Sequence, residues 1–164
     1  MTGSKREFVP ALGRAGPVER YDAVLALMTR EKRWRADLVQ LIAPAKGDRI
    51  VDIGCGTGTL AIALAGTADA EILGVDPDPD VLSIARRKAE DAGVRVQWFE
   101  GFGDALDDIA PLQACDKIVS SLVLHQCPME TKEAIARQMW RLLKPGGSLF
   151  IADYDEQRTL LMRI

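Results

Sequence analysis

The stretch Val51-Asp52-Ile53-Gly54-Cys55-Gly56-Thr57-Gly58 decides the fold. A short apolar run over 49–53 enters a turn with glycine at every second position, and small residues of helical character follow from Leu60 to Ala65. Glycine reaches positive φ at little cost and has no Cβ to hold a ligand away from the backbone. A strand–turn–helix of this kind offers N–H groups and the positive end of a helix dipole to a polar or anionic ligand. Many α/β proteins need such a bend for packing alone, so its meaning comes from what stands at fixed distances from it.

Outward from the turn, strands and helices alternate. Strands are predicted over 49–53, 71–76, 94–99, 115–121 and 147–153, and helices over 58–66, 79–92 and 130–143. That alternation predicts an α/β fold: a doubly wound, mostly parallel sheet covered on both faces. In the helix over 79–92, Asp78 is the N-cap, Pro79 takes the first position and Gly93 closes the end. Val81, Ala85, Ala89 and Ala92 are its expected sheet face, and Ile135, Met139 and Leu142 are that of the helix over 130–143. Trp98 and Trp140 are expected in the core.

N-terminal to this unit, two amphipathic helices are predicted. Tyr21, Val24, Leu25 and Met28 share a face over 18–29, and Trp34, Leu38, Leu41 and Ile42 share one over 31–42. Residues 1–16 read as a flexible arm and 17–164 as one domain, with a helical lid over 17–43 and a core over 48–155.

The bulk numbers exclude several classes. At 164 residues, 48% apolar and 27% charged, the chain suits one globular domain. With 21 basic and 24 acidic residues the net charge is −3, so no broad positive field draws nucleic acid. Arg30, Lys32, Arg33 and Arg35 read as a solvated helix face. Cys55, Cys115 and Cys127 form no C-x-x-C pair and always leave one over, which fits a reducing cytoplasm better than a disulfide scaffold. One histidine and scattered cysteines predict no metal site. No segment approaches the roughly 18 apolar residues of a membrane span, so no membrane partner is expected.

The chemistry-bearing residues fall around the turn. The second strand, Glu71 to Asp76, ends in an acid placed to accept hydrogen bonds from both hydroxyls of a ribose. The glycines are spaced G-x-G-x-G, with Thr59 where the third glycine of a dinucleotide fingerprint would stand. Asp52, just before the first glycine, suits an ammonium group better than a pyrophosphate. Gly103-Asp104-Ala105, after the third strand, offers a carboxylate to an adenine amino group.

With Asp116 to His125 and Leu143 to Leu149 added in the same order, the chain resembles the class I S-adenosylmethionine-dependent methyltransferases over about residues 20–155. The resemblance implies a Rossmann-like sheet, S-adenosylmethionine as cofactor with S-adenosylhomocysteine as product, and methyl transfer to a small molecule. It implies that Gly54, Gly56 and Gly58, with Cys55 as a small residue of the turn, lie against the methionine part, and that Asp52 holds the amino group through water. Asp76 would bind the ribose and Pro77 would rest on the adenine ring. Gly103, Asp104 and the Ala105 amide would read the adenine edge, and Ser120 and Ser121 would line the methionine side. Tyr21 resembles an N-terminal aromatic that closes over the cofactor.

His125, the one histidine, falls on the expected rim and is the candidate general base. Methyl transfer asks mainly for alignment and exclusion of water, because the sulfonium already activates its methyl group. Two other readings stand beside this one: a non-catalytic binder of S-adenosylmethionine or S-adenosylhomocysteine, and an NAD-dependent oxidoreductase. The family's sheet normally has seven strands with a closing hairpin, whereas this sequence stops soon after the fifth, so the fold is expected to be C-terminally short. Either a longer enzyme has been cut, or the apolar edge over Ser148 to Ala152 pairs with another copy as a homodimer.

Overall fold

A computed structural model describes residues 31–154 of the chain. Helix α1 (Glu31–Ile42) leads to strand β1 (Arg49–Ile53), α2 (Thr59–Ala65), β2 (Glu71–Asp76), α3 (Pro79–Asp91) and β3 (Gln97–Glu100). An irregular crossing then reaches β4 (Cys115–Ser121), a single 3-10 turn (Leu124–Gln126), α4 (Met129–Leu142) and β5 (Leu143–Ala152). The strands form one sheet of order β3-β2-β1-β4-β5, and every pair in it is parallel. All five C-terminal strand tips therefore lie along one edge.

The two faces of the sheet are buried separately. Val51, Ile53, Val75 and Ile118 pack with Ile135, Met139 and Leu142 of α4, and the crossing closes this side with Leu106 and Ala110. Ile50, Ile72 and Val119 pack on the other side against Leu38 and Ile42 of α1 and Leu60 and Leu64 of α2. At about 25 cal/mol per Å² of apolar surface, these clusters are the main source of stability.

The predicted caps of α3 are present. Asp78 accepts from the Asp80 amide at 2.9 Å, Pro79 stands in the first turn, and Gly93 turns the chain at φ 66. The inward stripe is Leu82, Ala85 and Ala89: Ala85 and Ala89 face the sheet as expected, Leu82 is buried in place of half-buried Val81, and Ala92 lies past the last turn and is exposed. Leu41 is 69% exposed, because the buried line of α1 runs along Leu38 and Ile42, an i, i+4 pair that leaves Leu41 on its flank. Trp140 is 78% exposed: α4 buries positions 135, 139 and 142, and a residue 100° further round from Met139 faces out. Trp98 is half-buried, with its ring over Gly58 and Gly74.

The third strand starts at Gln97, three residues later than predicted, while β5 begins directly at Leu143, where the helix ends. Leu149 and Ile151 of this edge strand are exposed on the α4 side, as the apolar edge read from the sequence implies. The helix over 18–29 and the arm over 1–16 lie outside the described residues.

Candidate functional site

The order of strands reverses between β1 and β4, and a crevice opens outside the strand tips at such a switch point. The glycine turn stands there. Its backbone is pinned to β2: the Gly54 and Cys55 amides both donate to the Val75 carbonyl, at 2.8 and 3.0 Å. Gly54 has φ 71, and a Cβ there would fall 2.3 Å from Cγ2 of Val123, so only glycine fits. Gly56, at φ 52, faces open space instead, which is where a ligand can approach the backbone. Cys55 is buried and its thiol is pushed well above its ordinary value by that burial, so it is a packing residue.

Asp76, at the tip of β2, is already part of the turn. One carboxylate oxygen accepts from the Gly56 amide at 2.8 Å and the other from the Asp78 amide at 3.0 Å. Burial raises its pKa, and those two N–H groups partly offset the rise. Each oxygen keeps a lone pair for a ribose hydroxyl. Pro77 follows, half-buried.

Asp52 is the anomaly. It is fully buried, and neither carboxylate oxygen has a hydrogen-bond partner among the described residues. Burial pushes its pKa up to about 7; the Arg35 charge opposes the rise and neighbouring Asp76 adds to it. A sealed carboxyl with orphan oxygens asks for a hydrogen-bonding cation. An ammonium group has the donors that these oxygens lack.

The remaining predicted residues divide. Ser120 is buried and donates to the Ile53 carbonyl at 2.9 Å, tying β4 to β1 at the switch point, and half-buried Ser121 ends the strand. A Cβ on Gly103 would meet Cγ2 of Ile53 at 2.7 Å, so the crossing passes close over β1. Asp104 is half-buried, but the Ala105 amide already donates to the Phe102 carbonyl at 3.0 Å. Reading adenine with that amide would require this turn to open. Tyr21 lies outside the described residues.

His125 stands on the 3-10 turn after β4 and meets a residue that no sequence signal paired with it. Its Nδ1 is 2.6 Å from Oδ1 of Asp153, and its backbone amide donates to Oδ2 of the same carboxylate at 3.1 Å. Burial would raise the Asp153 pKa, but the Tyr154 amide and both His125 contacts outweigh it and hold it below the ordinary value. The Tyr154 ring lies edge-on to the imidazole, with centroids 5.2 Å apart. The missed signal is that Asp153 follows β5 directly, as Asp76 ends β2. Among the described residues no group of histidine, cysteine and carboxylate side chains is arranged to hold a metal ion, and no helix is long and apolar enough to cross a membrane.

Comparison with known proteins places this geometry. The methyltransferase-domain family profile matches residues 50–147, from the second residue of β1 into β5. A demethylmenaquinone methyltransferase of Thermus thermophilus is 35% identical over 138 residues, covering 82% of this chain and 61% of that protein. A ubiquinone biosynthesis O-methyltransferase of Ralstonia nicotianae is 33% identical over 118 residues, covering 72% of this chain and 48% of that protein. The chain thus spans less than two thirds of either relative. A solved Methanococcus maripaludis structure, assigned to the S-adenosyl-L-methionine-dependent methyltransferases, superposes with a TM-score of 0.70. It is 23% identical and is covered over 92% of this chain and 66% of its own, a likeness that speaks for the fold. Profile match, parallel strand order and glycine turn agree: the chain belongs to the class I S-adenosylmethionine-dependent methyltransferase family.

Proposed function

We propose that this site binds S-adenosylmethionine and transfers its methyl group to a small-molecule acceptor. One observation supports the reading: a buried Asp52 whose two oxygens have no hydrogen-bond partner among the described residues, beside a Cβ-poor turn. Asp52 takes the ammonium of the methionine part, and the open backbone at Gly56 accommodates its chain. Asp76 accepts the ribose hydroxyls, Pro77 packs on the adenine, and Gly103 and Asp104 flank its edge. Ser120 and Ser121 border the sulfur side. When bound, the sulfonium supplies an activated methyl group; the protein supplies alignment and dryness. The named relatives act in quinone biosynthesis or on a demethylated quinone, which favours a ring of that kind as acceptor.

Calorimetry with S-adenosylhomocysteine tests the cofactor half. Saturable binding is expected, undisturbed by NAD and weakened about a hundredfold in Asp52→Asn, the scale for removing one partner of a buried charged contact. Absence of binding, or equal affinity in the variant, overturns the reading.

A further inference from the structure

Each glycine of the turn is braced by a side chain from another element. Val123 drops its side chain into the space that Gly54 leaves by lacking a Cβ. A strained pivot delivers it there: Leu122 has φ 59, a conformation that disfavours a bulky residue, and its amide donates to the Ala152 carbonyl at 2.8 Å. The segment that carries His125 is therefore seated on the glycine turn. Asp76 holds the Gly56 amide from β2. At Gly58 the Trp98 ring takes the free space. A Cβ there would fall 2.4 Å from Cη2 of Trp98 and 2.9 Å from Cβ of Ala85, so β3 and α3 both close on the turn.

The last brace is charged. Lys88 stands in the last turn of α3. Helical side chains lean toward the N-terminus of their own helix. Its ammonium reaches the turn and donates to Oγ1 of Thr57 at 3.1 Å and to Oγ1 of Thr59 at 2.6 Å. These two residues flank Gly58, which starts α2 at φ 75 with no side-chain cap of its own. Glycine lets a turn take many shapes, and a clasp across Thr57 and Thr59 removes that freedom between Gly56 and α2. Thr57 is buried and Lys88 half-buried, so the contact is partly shielded from solvent and salt.

We propose that Lys88 is a positioning residue for the cofactor: by clasping Thr57 and Thr59 it holds the turn in the shape that leaves Gly56 open, so that α3 sets the affinity for the amino-acid end of S-adenosylmethionine without touching it. The inference rests on the cofactor reading above. Ordering the turn is then completed on folding rather than on binding, and a ligand that uses the turn gains the difference as affinity. The adenosine end, assigned to Asp76, Pro77, Gly103 and Asp104, depends on the clasp far less.

Calorimetry on the full chain tests this with two ligands. One is S-adenosylhomocysteine; the other is methylthioadenosine, which keeps the adenosine and lacks the amino-acid end. Lys88→Met should weaken S-adenosylhomocysteine about tenfold and leave methylthioadenosine within about threefold, tenfold being about 1.4 kcal/mol. The pair Thr57→Val and Thr59→Val should weaken S-adenosylhomocysteine by a similar factor. Adding Lys88→Met to that pair should cause no further loss, because the clasp is already gone. Equal weakening of both ligands marks a general loosening of the fold and overturns the proposal. So do unchanged affinity for S-adenosylhomocysteine, losses that multiply in the triple variant, or a Lys88→Met protein that no longer unfolds cooperatively in urea. With a wild type that binds S-adenosylhomocysteine, each of these results overturns this assignment alone. Wild-type protein that does not bind S-adenosylhomocysteine overturns the cofactor reading and this one with it.

Discussion

The two ends of the sheet use the same residue types in opposite ways. At the N-terminal ends of the strands Glu71, Asp48 and Asp116 all have partners: Glu71 meets Arg49 at 2.6 Å, Asp48 meets Lys117, and Asp116 accepts from Lys144 at 2.7 Å and from the Arg49 amide at 2.8 Å. The Arg49 contacts, first, hold Glu71 and Asp116 below their ordinary values. Asp48 is lowered too, since Lys117 and the Ala45 amide outweigh the effect of burial. At the C-terminal tips, burial instead pushes Asp52 and Asp76 up, and neither oxygen of Asp52 has a hydrogen-bond partner among the described residues. Acids whose work is structural are satisfied within the chain; Asp52 is arranged as though something else completes it.

Substituting Asp52 gives the largest expected break in that contrast. Its folded pKa of about 7 exceeds the ordinary 3.8, so the cost of ionising it is absent below the lower value and grows as pH rises to the upper one. At pH 8 the ligand-free Asp52→Asn protein should be more stable by on the order of 4 kcal/mol, and near pH 4 by little. Urea unfolding at both pH values measures this, and parallel profiles for variant and wild type would refute the contrast. Because an ammonium favours the ionised carboxylate, cofactor binding near pH 6 should also release protons, visible as a dependence of the binding heat on the buffer.

The glycine turn sharpens the comparison. Gly54→Ala brings a Cβ within 2.3 Å of Val123 and should cost about 2–3 kcal/mol of stability, from overpacking plus positive φ. Gly56→Ala meets nothing and should cost about 1 kcal/mol in the same unfolding experiment. Its larger effect should be on affinity for S-adenosylhomocysteine, about tenfold or more, since the added methyl group occupies the approach to the backbone. Equal affinity in Gly56→Ala and wild type would mean that the open space is not the ligand's.

The smallest effect belongs to the other end. Lys144→Ala removes a half-exposed ion pair and should cost no more than about 1 kcal/mol, with cofactor affinity unchanged. Its pH signature has the reverse sign. Asp116 titrates below its ordinary value, so its stabilisation is complete above that value and disappears as pH falls through the lowered one. Acid should therefore weaken the N-terminal end of the sheet while it relieves the C-terminal tips.

Much of this was legible in the sequence, for physical reasons. Strand–turn–helix alternation is local, and β1, β2 and β4 fell where the apolar runs placed them. Asp52 and Asp76 were visible because strand tips next to a glycine turn have a fixed relation in a doubly wound sheet. What local pattern could not supply was partnership across the sheet. Asp153 lies 28 residues from His125 and meets it only because β5 pairs with β4 in parallel register, ending Ser121 opposite Ala152. Asp76 gained a second role in the same way, since its grip on the Gly56 amide needs β2 beside β1. An Asp76→Ala loss of affinity would thus mix a lost ribose contact with a loosened turn. Leu41 and Trp140 were misplaced because their amphipathic stripes are only three or four residues wide, and an apolar residue at the margin obeys packing rather than period.

Leu122 sets stability selection against function at one position. A glycine there would relieve the backbone and could score as an improvement in a melting-temperature screen. It would also unlock the joint on which the segment from Val123 to Gln126 swings, and with it the aim of the imidazole. Libraries built to harden this protein should hold that residue fixed, while those built to admit new acceptors have in it their shortest lever.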